Sequence, residues 1–426
     1  MRSGALSIAM TCIAAAASLS GAPALAQSSA VPAPVGFKVG DGRLHLLGEI
    51  DTRFDSLVGR FSSATASDPE LIFVPRLGGS FGIETPSTLV KFNANAEYLI
   101  FSGLLTPQSR QLSRLQALVG LETEFNRDGA VSVQIGDNFT RSDRTQNAAA
   151  GIGIISLFNA LYLAVPIRPG GRALEFTPRI TWGVEFFEPL LTGLTSCPAG
   201  DVTCNPALLS TMSYSNLNFA LTSRYKFLPK TSALLDVNFD FRTYWNATAM
   251  TNPPANILRG RLGLAGLITP RFSATLLAGA AYDFGVTRAI APIGQAELTY
   301  LVGDSTSVSV GYTRDLLPVP AFGAFANDRG YLNARLGFLQ DRLQLNGTAA
   351  VDYFTFFQAS MTPGLGTAAR QDLLISLNVG PTFVVTSWFL VGATYGLGYR
   401  TSPQQVTQTG INFIRHEANL RLTFRY

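Results

Sequence analysis

The end of the chain alternates apolar and polar residues with strict period two. From residue 417 to residue 426, Ala418, Leu420, Leu422, Phe424 and Tyr426 are apolar, and every residue between them is polar. A β-strand shows this alternation when its two faces meet different surroundings. The pattern therefore predicts a final strand with one apolar face and one polar face.

The same alternation recurs along the chain from residue 43 onward. It is clearest in Thr88–Ser102, where Lys91 and Glu97 lie on the face opposite Phe92 and Tyr98. We count eighteen such segments of roughly 13–17 residues, much longer than the usual 5–6 residues of strands in globular proteins. Sixteen strands plus an inserted hairpin fit as well, because some segments are apolar or small on both faces.

The connections between these segments alternate between tight turns and longer loops. This asymmetry is typical of outer-membrane barrels, and a tilted spanning strand needs at least about 9–11 residues. The sequence thus predicts an all-β fold, a transmembrane antiparallel up-and-down β-barrel of about 18 strands. An even number of strands returns both termini to the periplasm. Bulges are expected where Pro292 and Asp315 interrupt the alternation.

The composition fits a barrel that is surrounded by lipid. Hydrophobic residues make up 47% of the chain and charged residues 14%, below the ~25% charged share of soluble domains. The mean hydropathy is +0.22, yet beyond the N-terminal segment no run approaches the ~18 apolar residues of a membrane helix. The net charge of +4 is too small for a chain of this size to indicate nucleic-acid binding.

The first residues have the pattern of a secretory signal peptide. Arg2 precedes an apolar stretch, and Ala24-Leu25-Ala26 fits the small-x-small cleavage pattern. We predict a signal peptide at 1–26, a periplasmic lead-in at 27–42 and an outer-membrane barrel at 43–426; a retained anchor is the alternative. The expected location is the outer membrane of a Gram-negative bacterium. Barrel-assembly machinery would read the final strand, whose apolar residues Leu420, Leu422, Phe424 and Tyr426 form the predicted assembly signal.

Metal and catalytic chemistry find little support in the sequence. Cys197 and Cys204 lie in a Gly/Pro/Ser/Thr-rich segment without histidine, so a disulfide that closes this loop is predicted and a metal site is not. His45 and His416 have no serine motif near them. We therefore expect no enzyme activity, no cofactor and no metal.

The polar faces of the strands predict which side chains line a lumen. A barrel of sixteen to eighteen strands leaves an aqueous bore, in which charges are tolerated. The predicted lumen-lining residues are Arg53, Lys91, Glu97, Arg114, Glu122, Arg179, Glu185, Arg224, Asp236, Asp240, Arg242, Arg259, Arg261, Arg335, Arg421 and Arg425. With the other inward carboxylates the two signs nearly balance, so strong anion selectivity is not predicted. Inward aromatic residues are few, which argues against a stacked sugar slide.

The opening strand resembles a known family. Gly48-Glu49-Ile50-Asp51-Thr52-Arg53-Phe54-Asp55-Ser56, with Pro75 in an apolar second strand and long strands up to a terminal aromatic, is similar to the β-barrel porin-2 group. The resemblance implies an eighteen-stranded barrel associated with exopolysaccharide loci and a periplasmic polysaccharide-export protein as partner. It assigns no functional residue.

Three functions remain as hypotheses. The first is a conduit that exports a secreted polysaccharide. The second is a passive porin for small hydrophilic solutes, which is expected to carry an inward-folded constriction loop; the longest loop here, Pro189 to Ser210, is only moderate in length. The third is a structural or adhesive barrel with a plugged bore.

Overall fold

The computed structural model describes residues 36–58, 68–143, 154–170, 173–189, 206–246, 254–285, 287–303, 305–319, 323–357, 370–402 and 412–426. The predicted signal peptide, the lead-in up to residue 35 and the predicted Cys197–Cys204 disulfide lie outside these ranges. Among the described residues, no helix is both long and apolar enough to cross a membrane.

The described chain is almost entirely β-structure. The strands are β1 (Phe37–Val39), β2 (Gly42–Val58), β3 (Asp68–Glu84), β4 (Thr88–Phe101), β5 (Arg114–Phe125), β6 (Val133–Ser142), β7 (Ile154–Ala164), β8 (Leu174–Pro189), β9 (Tyr214–Leu228), β10 (Thr231–Tyr244), β11 (Ile257–Thr269), β12 (Phe272–Asp283), β13 (Ile290–Val302), β14 (Thr306–Val319), β15 (Gly323–Phe338), β16 (Leu343–Phe356), β17 (Gln371–Val384), β18 (Phe389–Thr401) and β19 (Phe413–Arg425). A 3-10 helix (Pro107–Leu112) and helix α1 (Pro206–Met212) complete the elements.

Strands β2 to β19 close into an antiparallel barrel. Each strand pairs with the next one along the chain, and β19 pairs with β2 through Arg425↔Leu47 to Glu417↔Asp55. Closure removes every free sheet edge, as a lipid-exposed sheet requires. The predicted barrel of eighteen strands is confirmed.

Strand β1 pairs with the first residues of β2, just beyond the segment of β2 that pairs with β19. The backbone groups of Tyr426 bond to Leu46 (3.0 and 2.9 Å), and β1 pairs with the start of β2 from Phe37↔Leu44 onward. The Phe37 and Tyr426 rings lie 4.3 Å apart, centroid to centroid. The described part of the predicted lead-in therefore contributes a short strand at the barrel seam.

The two ends of the barrel differ in the length of their connections. At one end, here called the turn end, the connections are 85–87, 126–132, 165–173, 229–230, 270–271, 303–305, 339–342 and 385–388. At the other, the loop end, they are 59–67, 102–113, 143–153, 190–213, 245–256, 284–289, 320–322, 357–370 and 402–412. Helix α1 belongs to the longest of these, 190–213.

Large apolar side chains cover the outer face of the barrel. Ile50, Leu77, Leu262 and Ile290 are 53–75% exposed, and they alternate along their strands with residues of the opposite face. Hydrocarbon explains this arrangement, because a barrel in water would leave its largest apolar surface unburied. The closed even-stranded barrel and its apolar outer face place the protein in the outer membrane of a Gram-negative bacterium, as predicted.

The pairing of β14 changes partway along the strand. It pairs with β13 only from Val302↔Thr306 to Gly294↔Arg314, whereas its pairing with β15 continues to Val319↔Gly323. No register shift occurs at Pro292 or Asp315, where bulges were predicted. Instead, β14 separates from β13 after Arg314, and the tip of the β14–β15 hairpin leaves the barrel wall.

Candidate functional site

The polar faces of the strands point into the barrel. Arg259 on β11 donates from Nε and Nη2 to the carbonyl oxygen of Leu316 on β14, at 3.0 and 2.8 Å. Its Nε also lies 3.2 Å from a carboxylate oxygen of Asp315. Because β12 and β13 stand between these strands in the wall, the contact passes over their inner faces.

The tip of the β14–β15 hairpin lies inside the bore. We call its residues 315–319 and 323–327 the inner hairpin. All five residues from Gly323 to Asn327 are buried, although they alternate between the two faces of the strand. One face packs Leu316 and Ala324 against inward residues of β11–β13, including Ile257 and Ile293. The inner hairpin therefore lines the inside of the β11–β13 wall.

Helix α1 fills the space beside the inner hairpin. Its side chains Leu209 and Met212 are 0% and 1% exposed. They belong to one apolar cluster, here called the loop-end cluster, together with Ile154, Phe187, Tyr214, Tyr244, Val319, Phe325, Phe354, Phe356 and Leu374. Strands β8 and β17, which contribute Phe187 and Leu374, are nine positions apart in the ring of eighteen. The cluster thus joins two opposite sides of the barrel wall at the loop end.

Buried charged groups with polar and aromatic partners border the loop-end cluster. Glu185 is 0% exposed and accepts hydrogen bonds from Ser156 and Tyr214, and the Arg242 guanidinium lies 3.9 Å from the centroid of the Tyr214 ring. These contacts offset part of the free-energy cost of burying the charges of Glu185 and Arg242.

A second buried group lies across the bore, at the loop ends of β17 and β18. Asp372 is 0% exposed and pairs with Arg370, whose Nε is 3.2 Å away, and with Arg400. Burial lowers the pKa of Arg370 to about 10, and the negative charge of Asp372 opposes this shift. Arg370 therefore stays charged at neutral pH.

A charged network lines the wall on both sides of the barrel seam. Arg76 bridges Glu49 (2.8 Å) and Glu97 (2.7 Å), and Arg421 lies 3.2 Å from Glu49. Nearer the loop end, Arg415 lies 2.6 Å from Asp55. This network belongs to β19 and β2–β4, away from the wall that the inner hairpin covers.

Between the loop-end cluster and the turn end, inward side chains are open to water. Exposed polar residues on this inner face include Lys91, Asn93, Glu122, Asn138, Asn333, Asn346, Asn378 and Thr394. They come from β4–β6 on one side of the seam and from β15–β18 on the other, so the space they face is a chamber and not a local groove. Amide, hydroxyl and charged groups form its wall, which suits water and polar solutes.

Most of the predicted lumen-lining residues contact another side chain or a backbone carbonyl group. Nine make side-chain ion pairs or hydrogen bonds, two of the pairs joining predicted residues to each other: Arg53 with Asp51, Glu97 with Arg76, Arg114 with Asp143, Glu185 with Ser156, Asp236 with Arg261, Asp240 with Arg259, and Arg421 with Glu49. Arg179 lies over Tyr162 at 3.9 Å, and Arg425 donates to the carbonyl oxygen of Ser387 at 3.0 Å. The structure therefore assembles most of this set into local pairs.

The positions of the other predicted lining residues follow from their cross-strand partners. Lys91 and Glu122 are cross-strand partners, Arg224 is opposite Glu175, and Arg335 is opposite Asn346. The two histidines lie at different ends of the seam: His45 is opposite Ser80 near the turn end, and His416 is on the outer face, where Tyr395 OH lies 2.8 Å from its Nδ1.

Several inward residues were missed in the sequence analysis. Arg329 and Arg415 share the parity of Arg335 and Arg421, and alternation alone finds them. Helix α1 is signalled only by Pro206 at its first position, followed by apolar residues.

Comparison with known proteins adds a likeness of overall shape. No protein-family profile matches the chain and no curated protein is similar to it. Similar solved structures include OccAB3 of Acinetobacter baumannii (9% identity, TM-score 0.47, 91% of this chain and 100% of that chain). They also include OpdK of Pseudomonas aeruginosa with vanillate (11%, 0.46, 91% and 98%) and the siderophore receptor PirA of the same species (8%, 0.44, 90% and 80%). Such values assign neither a family nor a substrate, and the predicted resemblance to the porin-2 group is not confirmed.

Proposed function

We propose that this protein is an outer-membrane channel through which small hydrophilic solutes diffuse. The observation that carries the proposal is the chamber between the loop-end cluster and the turn end, where inward Asn, Thr, Lys and Glu side chains are exposed inside the barrel. A barrel that served only as a scaffold would gain stability by filling this space with packed side chains.

The loop end supports small solutes as the cargo. Among the described residues, the inner hairpin and α1 lie on the β8–β17 side of the bore, and the seam wall on the other side carries the polar side chains Arg415 and Glu417, along which solutes would pass. These two side chains remain 20% and 24% exposed. A constriction of this kind selects by size, and a polymer chain would need an unobstructed bore. Polysaccharide export, with a periplasmic export protein as partner, is therefore the less favoured proposal.

The balance of charge along the route supports weak ion selectivity. Glu49, Asp51 and Asp55 on β2 face Arg76 on β3 and, across the seam, Arg415 and Arg421 on β19, so neither sign dominates. A channel with strong selectivity needs a ring of one sign at its narrowest point.

Two experiments separate the three hypotheses. Conductance of the purified protein in planar bilayers distinguishes a channel, which gives discrete steps, from a plugged barrel, which gives none. Deletion of the gene then separates uptake from export: we expect slower uptake of small polar nutrients and unchanged surface polysaccharide. Loss of surface polysaccharide with normal nutrient uptake would overturn the proposed function.

A further inference from the structure

One polar pair lies on the lipid-facing side of the barrel wall. Asp137 on β6 is the cross-strand partner of Leu121 on β5 and of Leu161 on β7, which are 40% and 45% exposed on the outer face. Directly paired residues point to the same side of a sheet, so Asp137 also faces outward. Asn159 on β7 shares this side and donates to the Asp137 carboxylate at 2.9 Å.

The position of Asp137 is unusual for this barrel. Among the described strands, the other Asp, Glu, Arg or Lys residues on the outer face are Arg141, Glu188, Arg314 and Asp328. These four lie toward the loop end and form the pairs Arg141–Glu188 and Arg314–Asp328. Asp137, in contrast, lies in the middle of β6, where its direct cross-strand partners Leu121 and Leu161 are apolar and Asn159 is its polar neighbour.

The pair is only partly satisfied by its own chain. The hydrogen bond from Asn159 reaches one carboxylate oxygen, and no other side-chain bond of the two residues is found within the described part of the chain. One carboxylate oxygen and one amide N–H therefore face outward. Acidic groups that face hydrocarbon are costly and rare, so this pair calls for a polar partner that lipid tails do not supply.

We propose that the outer face of β6–β7 is the interface of a two-fold symmetric dimer of this protein. A two-fold axis parallel to the barrel axis places the same patch of each copy at the same depth, as an isologous contact requires. The free amide N–H of Asn159 then donates to Asp137 of the partner subunit, and the reverse bond forms by symmetry.

The surroundings of the pair fit a contact between copies. Leu161 and Trp182 next to it on β7 and β8 are 45% and 50% exposed, and they supply apolar contact area around the polar centre. An aspartate–asparagine pair is self-complementary, since it offers both an acceptor and a donor. A lipid tail offers neither, so a second copy satisfies the pair better than lipid does.

Cysteine cross-linking in isolated outer membranes tests the proposal. Leu161→Cys is introduced into a chain that also carries Cys197→Ser and Cys204→Ser, and Leu332→Cys on β15, equally exposed at 45%, is the control. We expect a disulfide-linked band at twice the monomer mass for Leu161→Cys and none for Leu332→Cys. Equal linking of both variants, or linking of neither, would overturn the proposal.

The role of the polar pair is tested in the same background. Adding Asp137→Leu and Asn159→Leu to the Leu161→Cys chain removes both interchain hydrogen bonds, and the cross-linked fraction should fall by about tenfold or more. The heat-dependent shift of the folded barrel on a gel reports whether this variant still folds. If the double variant does not fold, the single variant Asp137→Leu is tested in its place by the same cross-linking assay. Unchanged cross-linking in a folded variant, or a wild-type assembly of three copies, would contradict a two-fold interface built on this pair.

Discussion

Helix α1 should be held in the bore chiefly by the burial of Leu209. This side chain is 0% exposed within the loop-end cluster. Truncating a fully buried leucine to alanine costs about 2–5 kcal/mol. If about 3 kcal/mol of this holds α1 in place, Leu209→Ala raises the ratio of undocked to docked helix about 100-fold, at about 1.4 kcal/mol per tenfold change.

Single-channel recording measures this effect directly. We expect Leu209→Ala to give more frequent or longer openings to a higher conductance level than the wild-type channel gives. Leu332→Ala is the matched control, because it removes the same atoms from the outer face of the wall, where Leu332 is 45% exposed. It should leave the conductance unchanged.

The reasoning fails if Leu209→Ala conducts like the wild type while the variant is folded. In that case α1 either does not obstruct the route or stays in place without the leucine. A second change, Met212→Ala, separates these outcomes, because the two truncations together remove the two helix side chains that are fully buried among those the structure describes.

Further predictions concern the hairpin, the chamber and the seam. Arg259→Met should lower the free energy of unfolding by about 3–5 kcal/mol, because it leaves the Asp240 and Asp315 carboxylates without their arginine partner. Guanidinium denaturation of the refolded barrel measures this loss, and an unchanged midpoint would contradict it. Lys91→Glu should shift the reversal potential in a salt gradient toward cation selectivity, and Glu122→Lys should shift it toward anion selectivity. The reason is that the two side chains are exposed opposite each other in the chamber. Shifts of the same sign would argue against an ion pathway that passes both residues. Tyr426→Ala should lower the yield of assembled barrel in membranes, because it removes the ring that packs on Phe37 of β1 at the seam. A yield equal to that of the wild type would refute this role.

The barrel itself could be predicted because its physics is local. Alternation along each strand follows directly from hydrocarbon on one face and water on the other, so segments such as Thr88–Ser102 reveal both their length and their orientation. The count of eighteen strands needed only these segments and the turns between them. Inward charges such as Glu97 and Arg421 followed from the same parity.

The interior of the loop end could not be predicted in this way. Leu316 and Ala324 have the parity of outward residues, and only the separation of β14 from β13 turns their face toward the inner wall. The loop-end cluster joins residues as distant in sequence as Ile154 and Leu374, whose proximity depends on closure of the whole ring. Loop length was a poor guide to what narrows the bore: α1 belongs to the longest connection, 190–213, but the inner hairpin has a connection of only three residues.

The size limit for solute entry tests the account most directly. Liposomes that contain the purified protein are placed in solutions of sugars of increasing size, and the rate of swelling reports permeation. The account predicts rapid entry of monosaccharides, a steep fall with increasing chain length and no entry of long dextrans. Entry of long dextrans at a comparable rate, or no entry of any sugar, would contradict a water-filled chamber that is narrowed by α1 and the inner hairpin.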